Sequence, residues 1–304
     1  VKLALLAWLA ASPAFAQESG RQVCLDLGAQ LNRELPKAPD SLHLNNDLFL
    51  AARKGCLPEL KRTLAAGASR LARDREGDTA LAAAARAGRL EVVETLIAGA
   101  TPQEARQIDM ADARGASPLM LAIHAGRRQV AAALLAAGAK VDAIDAMGET
   151  ALAEAAFAAD EELGLRLIEA HADPATVDRY GKSPICYAAA RGAAKLVERL
   201  LDAGVDVNAR YGHELTALMW AAGFPDNTPS DHAVATLKRL IARGAKLDLV
   251  DDRGRSALMT AAAANRIETA KALIAAGADR ALKDSGGKTA LDLAPTEEMQ
   301  ALLR

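Results

Sequence analysis

Three cysteines, five histidines and two Gly-Lys-[Ser/Thr] tripeptides are the features of this 304-residue chain with the most direct chemical potential. Gly181-Lys182-Ser183 and Gly287-Lys288-Thr289 match the end of a phosphate-cradling loop, in which the backbone N–H groups of a glycine-rich turn surround an anion. Such a loop needs another glycine upstream, at the positions held here by Thr176 and Leu282, so neither tripeptide completes it. His43, His124, His171, His213 and His232 form no pair at a spacing that would place two ligands on one metal ion. No Gly-x-Ser-x-Gly elbow presents a nucleophilic serine. Asp and Glu recur at regular intervals, as solvated turn residues do, and no isolated pair suited to acid–base work stands out. The sequence therefore predicts no catalytic residue, no metal site and no cofactor.

That regular recurrence is the stronger signal, and it identifies the elements that must position any site. The hydroxyl residue of Gly-x-[Ser/Thr]-[Ala/Pro]-[Leu/Ile] returns as Thr79, Ser117, Thr150, Ser183, Thr216, Ser256 and Thr289. Subtraction of these numbers gives intervals of 38, 33, 33, 33, 40 and 33 residues, a period that belongs to a repeat architecture. Within a unit, Gly181 and its equivalents Gly77, Gly115, Gly148, Gly212, Gly254 and Gly287 are expected at positive φ in a hairpin turn. The hydroxyl residue is placed to cap a helix, and Pro184 fits its first turn, where no N–H is needed. Ala188-Ala189 and Ala221-Ala222 allow close helix approach, and Leu196, Val197, Leu200 and Leu201 make the apolar stripe of a second helix that ends at Gly204.

Ser183-Pro184-Ile185-Cys186-Tyr187-Ala188 and Ser117-Pro118-Leu119-Met120-Leu121-Ala122 resemble the T-P-L-H-x-A signature of the ankyrin-repeat family. The resemblance runs over residues 45–304. It implies an all-α repeat solenoid, an array of about eight helix-turn-helix units joined by β-hairpin-like loops, with the first and last units degenerate. The family's histidine is replaced by Ala82, Met120, Ala153, Cys186, Met219, Met259 and Asp292, so apolar packing must substitute for its hydrogen bonds. Such an array is quasi-one-dimensional and extends by adding nearest-neighbour interfaces, so the length fits a single domain.

The ends and interruptions read differently from the units. Residues 1–16 carry Lys2, an apolar run from Leu3 to Ala11 and Ala14-Phe15-Ala16, the pattern of a secretory leader cleaved before Gln17. An initial Val in place of Met fits an alternative bacterial start codon or a trimmed beginning. The expectation is export to a bacterial periplasm, with no membrane attachment after cleavage, because the apolar run is shorter than a spanning helix needs. Residues 17–44 predict a short helix that caps the first unit before the Pro36 to Pro39 break. Thr101-Pro102-Gln103-Glu104-Ala105 accounts for the long first interval. The 40-residue interval is ascribed to a hairpin tip lengthened at His213-Glu214-Leu215 and to a Pro-rich insertion, 223–232. Cys186 falls on a buried position of its unit. Cys24 in the cap and Cys56 at the end of the first helix of the first unit are the candidates for a disulfide, as an oxidising compartment allows.

The aromatic residues carry the functional reading. Seven lie beyond the leader, and six of them, Phe157, Tyr180, Tyr187, Tyr211, Trp220 and Phe224, fall between residues 157 and 224. Glu154, Tyr187 and Trp220 are 33 residues apart, which puts them in line on three successive first helices. Tyr180 and Tyr211 are read as hairpin-tip residues, Phe157 and Phe224 as the exposed ends of first helices, with Arg179, Lys182, Arg191 and Arg210 around them. Tyr, Trp and Arg are the residues enriched in binding hot spots. The expected function is a monomeric, non-enzymatic module that binds another exported protein in a concave aromatic and basic groove, protecting or inhibiting it. A net charge of -2 argues against a nucleic-acid partner. The alternative is an enzyme or small-molecule receptor that uses the same groove with the 223–232 insertion, where His213, His232, Glu154 and Glu214 would supply polar groups.

Overall fold

The repeated unit begins at an aspartate, and its carboxylate builds the hairpin. In a computed structural model that describes residues 13–35 and 40–304, Asp178 Oδ1 accepts the backbone N–H groups of Tyr180 and Lys182 at 2.8 and 3.0 Å. Asp74, Asp112, Asp251 and Asp284 each accept the N–H groups two and four residues on. The chain then turns through a left-handed glycine, such as Gly181 at φ +73°. A Cβ there would be strained by the positive φ and would stand 2.7 Å from Gly212 Cα. Two residues later comes the helix cap. Thr79, Ser117, Thr150, Thr216, Ser256 and Thr289 all accept the N–H three residues on through the side chain, as expected. Ser183 is the exception: its hydroxyl is buried and makes no cap bond.

Two compact units make up the chain, divided between Ala146 and Met147. In the first, helix α1 (Pro13–Glu34) lies against α2 (Ser41–Lys54) and α3 (Leu57–Ala65). It is followed by the helix pairs α4 (Ala80–Ala87) with α5 (Leu90–Ala98) and α6 (Pro118–His124) with α7 (Arg128–Ala136). The alanines of α4, including Ala84 and Ala85, are buried, and α2, α4 and α6 pack in sequence. Between the pairs, residues 101–109 form the longer connection. Gln107 turns inward there and donates to Leu96 O at 3.0 Å.

The second unit contains α8 (Ala151–Phe157), α9 (Glu161–Glu169), α10 (Pro184–Ala190), α11 (Ala194–Asp202), α12 (Ala217–Ala222) and α13 (Ser230–Ala242). It continues through α14 (Ala257–Ala263), α15 (Ile267–Ala275) and α16 (Ala290–Leu293), and α17 (Glu297–Leu303) closes it. The first helices α8, α10, α12, α14 and α16 pack on one another, and α9, α11, α13 and α15 form the outer row. Small residues make the close inner contact, with Ala188, Ala189, Ala221, Ala222, Ala261 and Ala262 fully buried. Leu167, Leu200, Leu240 and Leu273 bring the outer row onto them. The substituted histidine positions fit this scheme: Cys186, Met219 and Met259 are buried and apolar, while the exposed Asp292 instead accepts the Thr289 N–H. Met299 and Leu303 seat α17, whereas Glu297, Glu298 and Arg304 face water and Gln300 turns back to Ala294 O.

Two expectations for the Ala209 to Ala242 segment are corrected. The hairpin tip is not lengthened: Tyr211 N bonds Leu215 O just as Asp178 N bonds Lys182 O, so Tyr211 occupies the aspartate position and Glu214 the glycine position. His213 and Glu214 therefore carry the left-handed φ values, 62° and 59°, and Gly212 does not. The 223–232 insertion alone lengthens the interval. It is only partly a loop, because its end becomes the first turn of α13, which runs 13 residues against nine in α11. Thr228 Oγ1 donates to Ala190 O, tying the insertion back onto the preceding pair.

Cys24 in α1 and Cys56 before α3 form a disulfide, S–S 2.01 Å. Closing a loop of this length contributes about 2–4 kcal/mol by restricting the unfolded chain. Leu27 and Leu31 are buried beneath the same helix, and Arg62 donates to Asn32 Oδ1 at 2.8 Å. The expected leader falls mostly, and the Pro36 to Pro39 break wholly, outside the described residues. Cys186 is buried and its thiol is pushed up to about 11 by burial, so it is inert in the folded protein. Thiol labelling of denatured, unreduced protein is expected to modify Cys186 alone; labelling at all three cysteines would refute the bridge.

Candidate functional site

Six of the residues named from the sequence come together on the second unit as a continuous run of rings and cations. Phe157, the last residue of α8, is 53% exposed and meets Tyr187 of α10 edge to face, with centroids 5.9 Å apart. The Lys182 ammonium, on the hairpin before α10, lies 5.3 Å from the Tyr187 centroid, 5.1 Å from that of Trp220 on α12 and 5.8 Å from that of Tyr180. Tyr180 is 61% exposed, and its hydroxyl reaches Met147 Sδ at 3.7 Å. At the other end, the Arg191 guanidinium stands 5.6 Å from the Phe157 ring and donates to Asn227 Oδ1 at 2.7 Å. Cations over ring faces contribute about 0.5–2 kcal/mol each, more where water is excluded.

The repeat geometry explains the alignment. Tyr187 and Trp220 occupy equivalent positions on α10 and α12, which pack side by side, and Glu154 occupies the same position on α8. Tyr187 is fixed further by its hydroxyl, which donates to Asp178 Oδ2 and lies 3.5 Å from Glu149 Oε1. Burial, reinforced by these two carboxylates, pushes the phenol far above its ordinary value, so it remains a neutral donor. Asp178 thus serves twice, through one oxygen as the hairpin's backbone acceptor and through the other as the anchor of the central ring. Sequence reasoning missed it as a site residue, although its recurrence at the head of every regular hairpin was the available signal.

The remaining candidates separate from this run. Phe224 is 5% exposed, with Arg266 4.5 Å over its ring, so it belongs to the interior and offers no exposed face. Tyr211 is half-buried at the base of its hairpin and beside Ser183, and is not a tip residue. Burial raises its phenol as well. Arg210 is engaged by Glu214 at 3.1 Å and by Val250 O at 3.0 Å. Arg179 is exposed next to Tyr180 and has no carboxylate partner among the described residues.

The polar groups named for a catalytic or receptor site do not assemble. His213 pairs with Asp252 at 2.8 Å, Glu214 with Arg210, and the exposed His232 lies against Gly192, so these three are each engaged elsewhere. Among the described residues no group of three or more His, Cys, Asp or Glu side chains is placed to hold a metal ion, and no helix is long and apolar enough to cross a membrane.

A family model described as ankyrin repeats, in three copies, matches residues 48–145, 152–229 and 230–303. No curated protein matches the chain.

Proposed function

The chain belongs to the ankyrin-repeat family, whose arrays are protein-interaction modules, and from that premise we propose that it holds another exported protein on the aromatic and basic face of its second unit. The observation that carries this is the run from Arg191 through Phe157 and Tyr187 to Lys182, Trp220 and Tyr180. Elsewhere the core of this fold is filled mainly by Ala and Leu, and the rings of Phe49 and Phe224 are buried, so a cluster of large rings left half-exposed serves something other than that core. Aromatic side chains and arginines are also what interfaces concentrate at their centres.

The leader pattern supports export, and the disulfide between Cys24 and Cys56 suits an oxidising compartment such as the periplasm. Cleavage after Ala16 would leave the inter-helix anchors of α1, at Cys24, Leu27, Leu31 and Asn32, in place. The working form in this reading is a monomer starting at Gln17, with no cofactor.

Affinity capture tests the reading. The processed protein, immobilised, is expected to retain a defined protein from the extracytoplasmic fraction of its source cells, and a Tyr187→Ala/Trp220→Ala double variant with retained helicity is expected to lose it. Equal recovery on both would remove the face from consideration.

A further inference from the structure

Lys182 differs from three other hairpin cations of the second unit in what surrounds it. Arg210, Arg253 and Arg255 are each paired with a carboxylate, at Glu214, Asp251 and Asp284. Lys182 has three ring faces and, among the described residues, no carboxylate. Its acidic neighbours are already committed: Asp178 to the hairpin N–H groups and, together with Glu149, to the Tyr187 hydroxyl. Ring faces stabilise the charge of an ammonium but are poor acceptors for its three N–H donors.

A second donor in the same place also lacks an acceptor. Trp220 Nε1 is enclosed and has no acceptor among the described residues, although an indole N–H that is shut away from water is costly to leave unpaired. It belongs to the ring over which Lys182 stands and is itself closed to a partner, so the half-exposed Lys182 ammonium is the donor that a partner's carboxylate can meet. A foreign cation, by contrast, would have to enter a site that Lys182 already fills with like charge.

We propose that Lys182, held by Tyr180, Tyr187 and Trp220, is the anchor for an Asp or Glu side chain in an exposed segment of the partner protein. The partner's flanking apolar side chain lies on the open faces of Tyr180 and Phe157, and Arg179 favours a second acidic residue nearby. This rests on the reading of the face as a protein-binding surface and specifies what that surface selects.

The test uses peptides, since the partner is unidentified. A random peptide library displayed on phage is selected against the processed protein, and a synthetic copy of the strongest binder is titrated by calorimetry. Recovered sequences are expected to be enriched in Asp or Glu beside an apolar residue. Lys182→Gln is expected to weaken the synthetic peptide about tenfold or more, Lys182→Arg less, and affinity should fall as salt rises. Lys182→Gln gives up its ring contacts, so its thermal transition is expected to fall modestly and that of Lys182→Arg to stay near the parent, with both folded at the temperature of the titration. Enrichment in Lys or Arg, or binding that is unchanged or tightened by Lys182→Gln, would overturn the assignment and make the rings a cage for a foreign cation. If Trp220→Ala abolishes binding while Lys182→Gln does not, the protein-binding face stands and the carboxylate anchor falls. Failure of the parent protein to recover any peptide counts against both.

Discussion

Gly212→Ala is expected to lower the stability of the second unit by about 3 kcal/mol and to remove partner binding with it. At this junction two hairpins meet more closely than at any regular one. A Cβ on Gly212 would stand 2.4 Å from Tyr180 O, a backbone atom that cannot move without its hairpin. Overpacking against backbone costs about 1–3 kcal/mol. The displacement would also break the Gly212 N–H bond to Gly181 O at 2.7 Å, which is the stitch between these hairpins and is worth about 1 kcal/mol. Because Tyr180 and Lys182 ride on one of the two hairpins and Trp220 follows the other, opening the junction separates the ammonium from its third ring. Trp220 is the only tryptophan beyond residue 8, so its fluorescence reports denaturant unfolding of this unit in the processed protein. Gly286→Ala is the control: its Cβ would meet only Asp284 Oδ1, at 3.3 Å, and should cost well under half as much. Equal, small losses at both positions would show that the junction yields and that the close approach holds nothing in place.

The same junction shows where the sequence could be read and where it could not. Period, caps and the apolar stripe of α11 were legible because each depends on a local rule that single residue types satisfy. The hairpin at Tyr211 to Thr216 was not, since the pattern was anchored on Gly-x-[Ser/Thr] and Gly212 lay close enough to stand in for the missing glycine. The physical anchor is the aspartate carboxylate that takes two backbone N–H groups. Counting from Asp178 by the 33-residue period leads to Tyr211 and from Gly181 to Glu214. There the glycine position is filled by Glu214 at φ 59°, and Arg210 and Asp252 hold the flanking side chains.

Phe224 went astray by one residue. In register it corresponds to Arg191, not to Phe157, and it lies past the end of α12, where the chain has left the helix and its ring turns inward under Arg266. The alignment of Tyr187 with Trp220 survived because both rest on the unbroken 33-residue interval. What no periodicity could supply is the pairing of each cation. Arg210 and Arg253 are neutralised within their own hairpins, by Glu214 and Asp251, and Arg255 by Asp284 of the next one, while Lys182 is not paired in either way.

Trp220→Ala is expected to weaken partner binding by about 2 kcal/mol or more, roughly thirtyfold in Kd, the range of central aromatic anchors. The ring is shared between its own helix and the Lys182 hairpin of the preceding one. Its loss would free the ammonium to sample solvent as well as deleting contact area. Part of the residue also belongs to the fold, since it is half-buried and Nε1 is enclosed, so thermal stability should fall, though by less than the 3–5 kcal/mol typical of a fully buried aromatic. Trp220→Phe separates the two contributions. It keeps a ring for Lys182 and most of the packing but offers the ammonium a smaller and weaker face, so it should restore stability nearly to the parent value and affinity only in part. Affinity and thermal unfolding measured on the same samples decide the matter. Binding that tracks stability across both variants would make Trp220 a packing residue whose effect on the partner is indirect. A Phe variant as stable as the parent yet several-fold weaker in binding would place the indole itself in the interface.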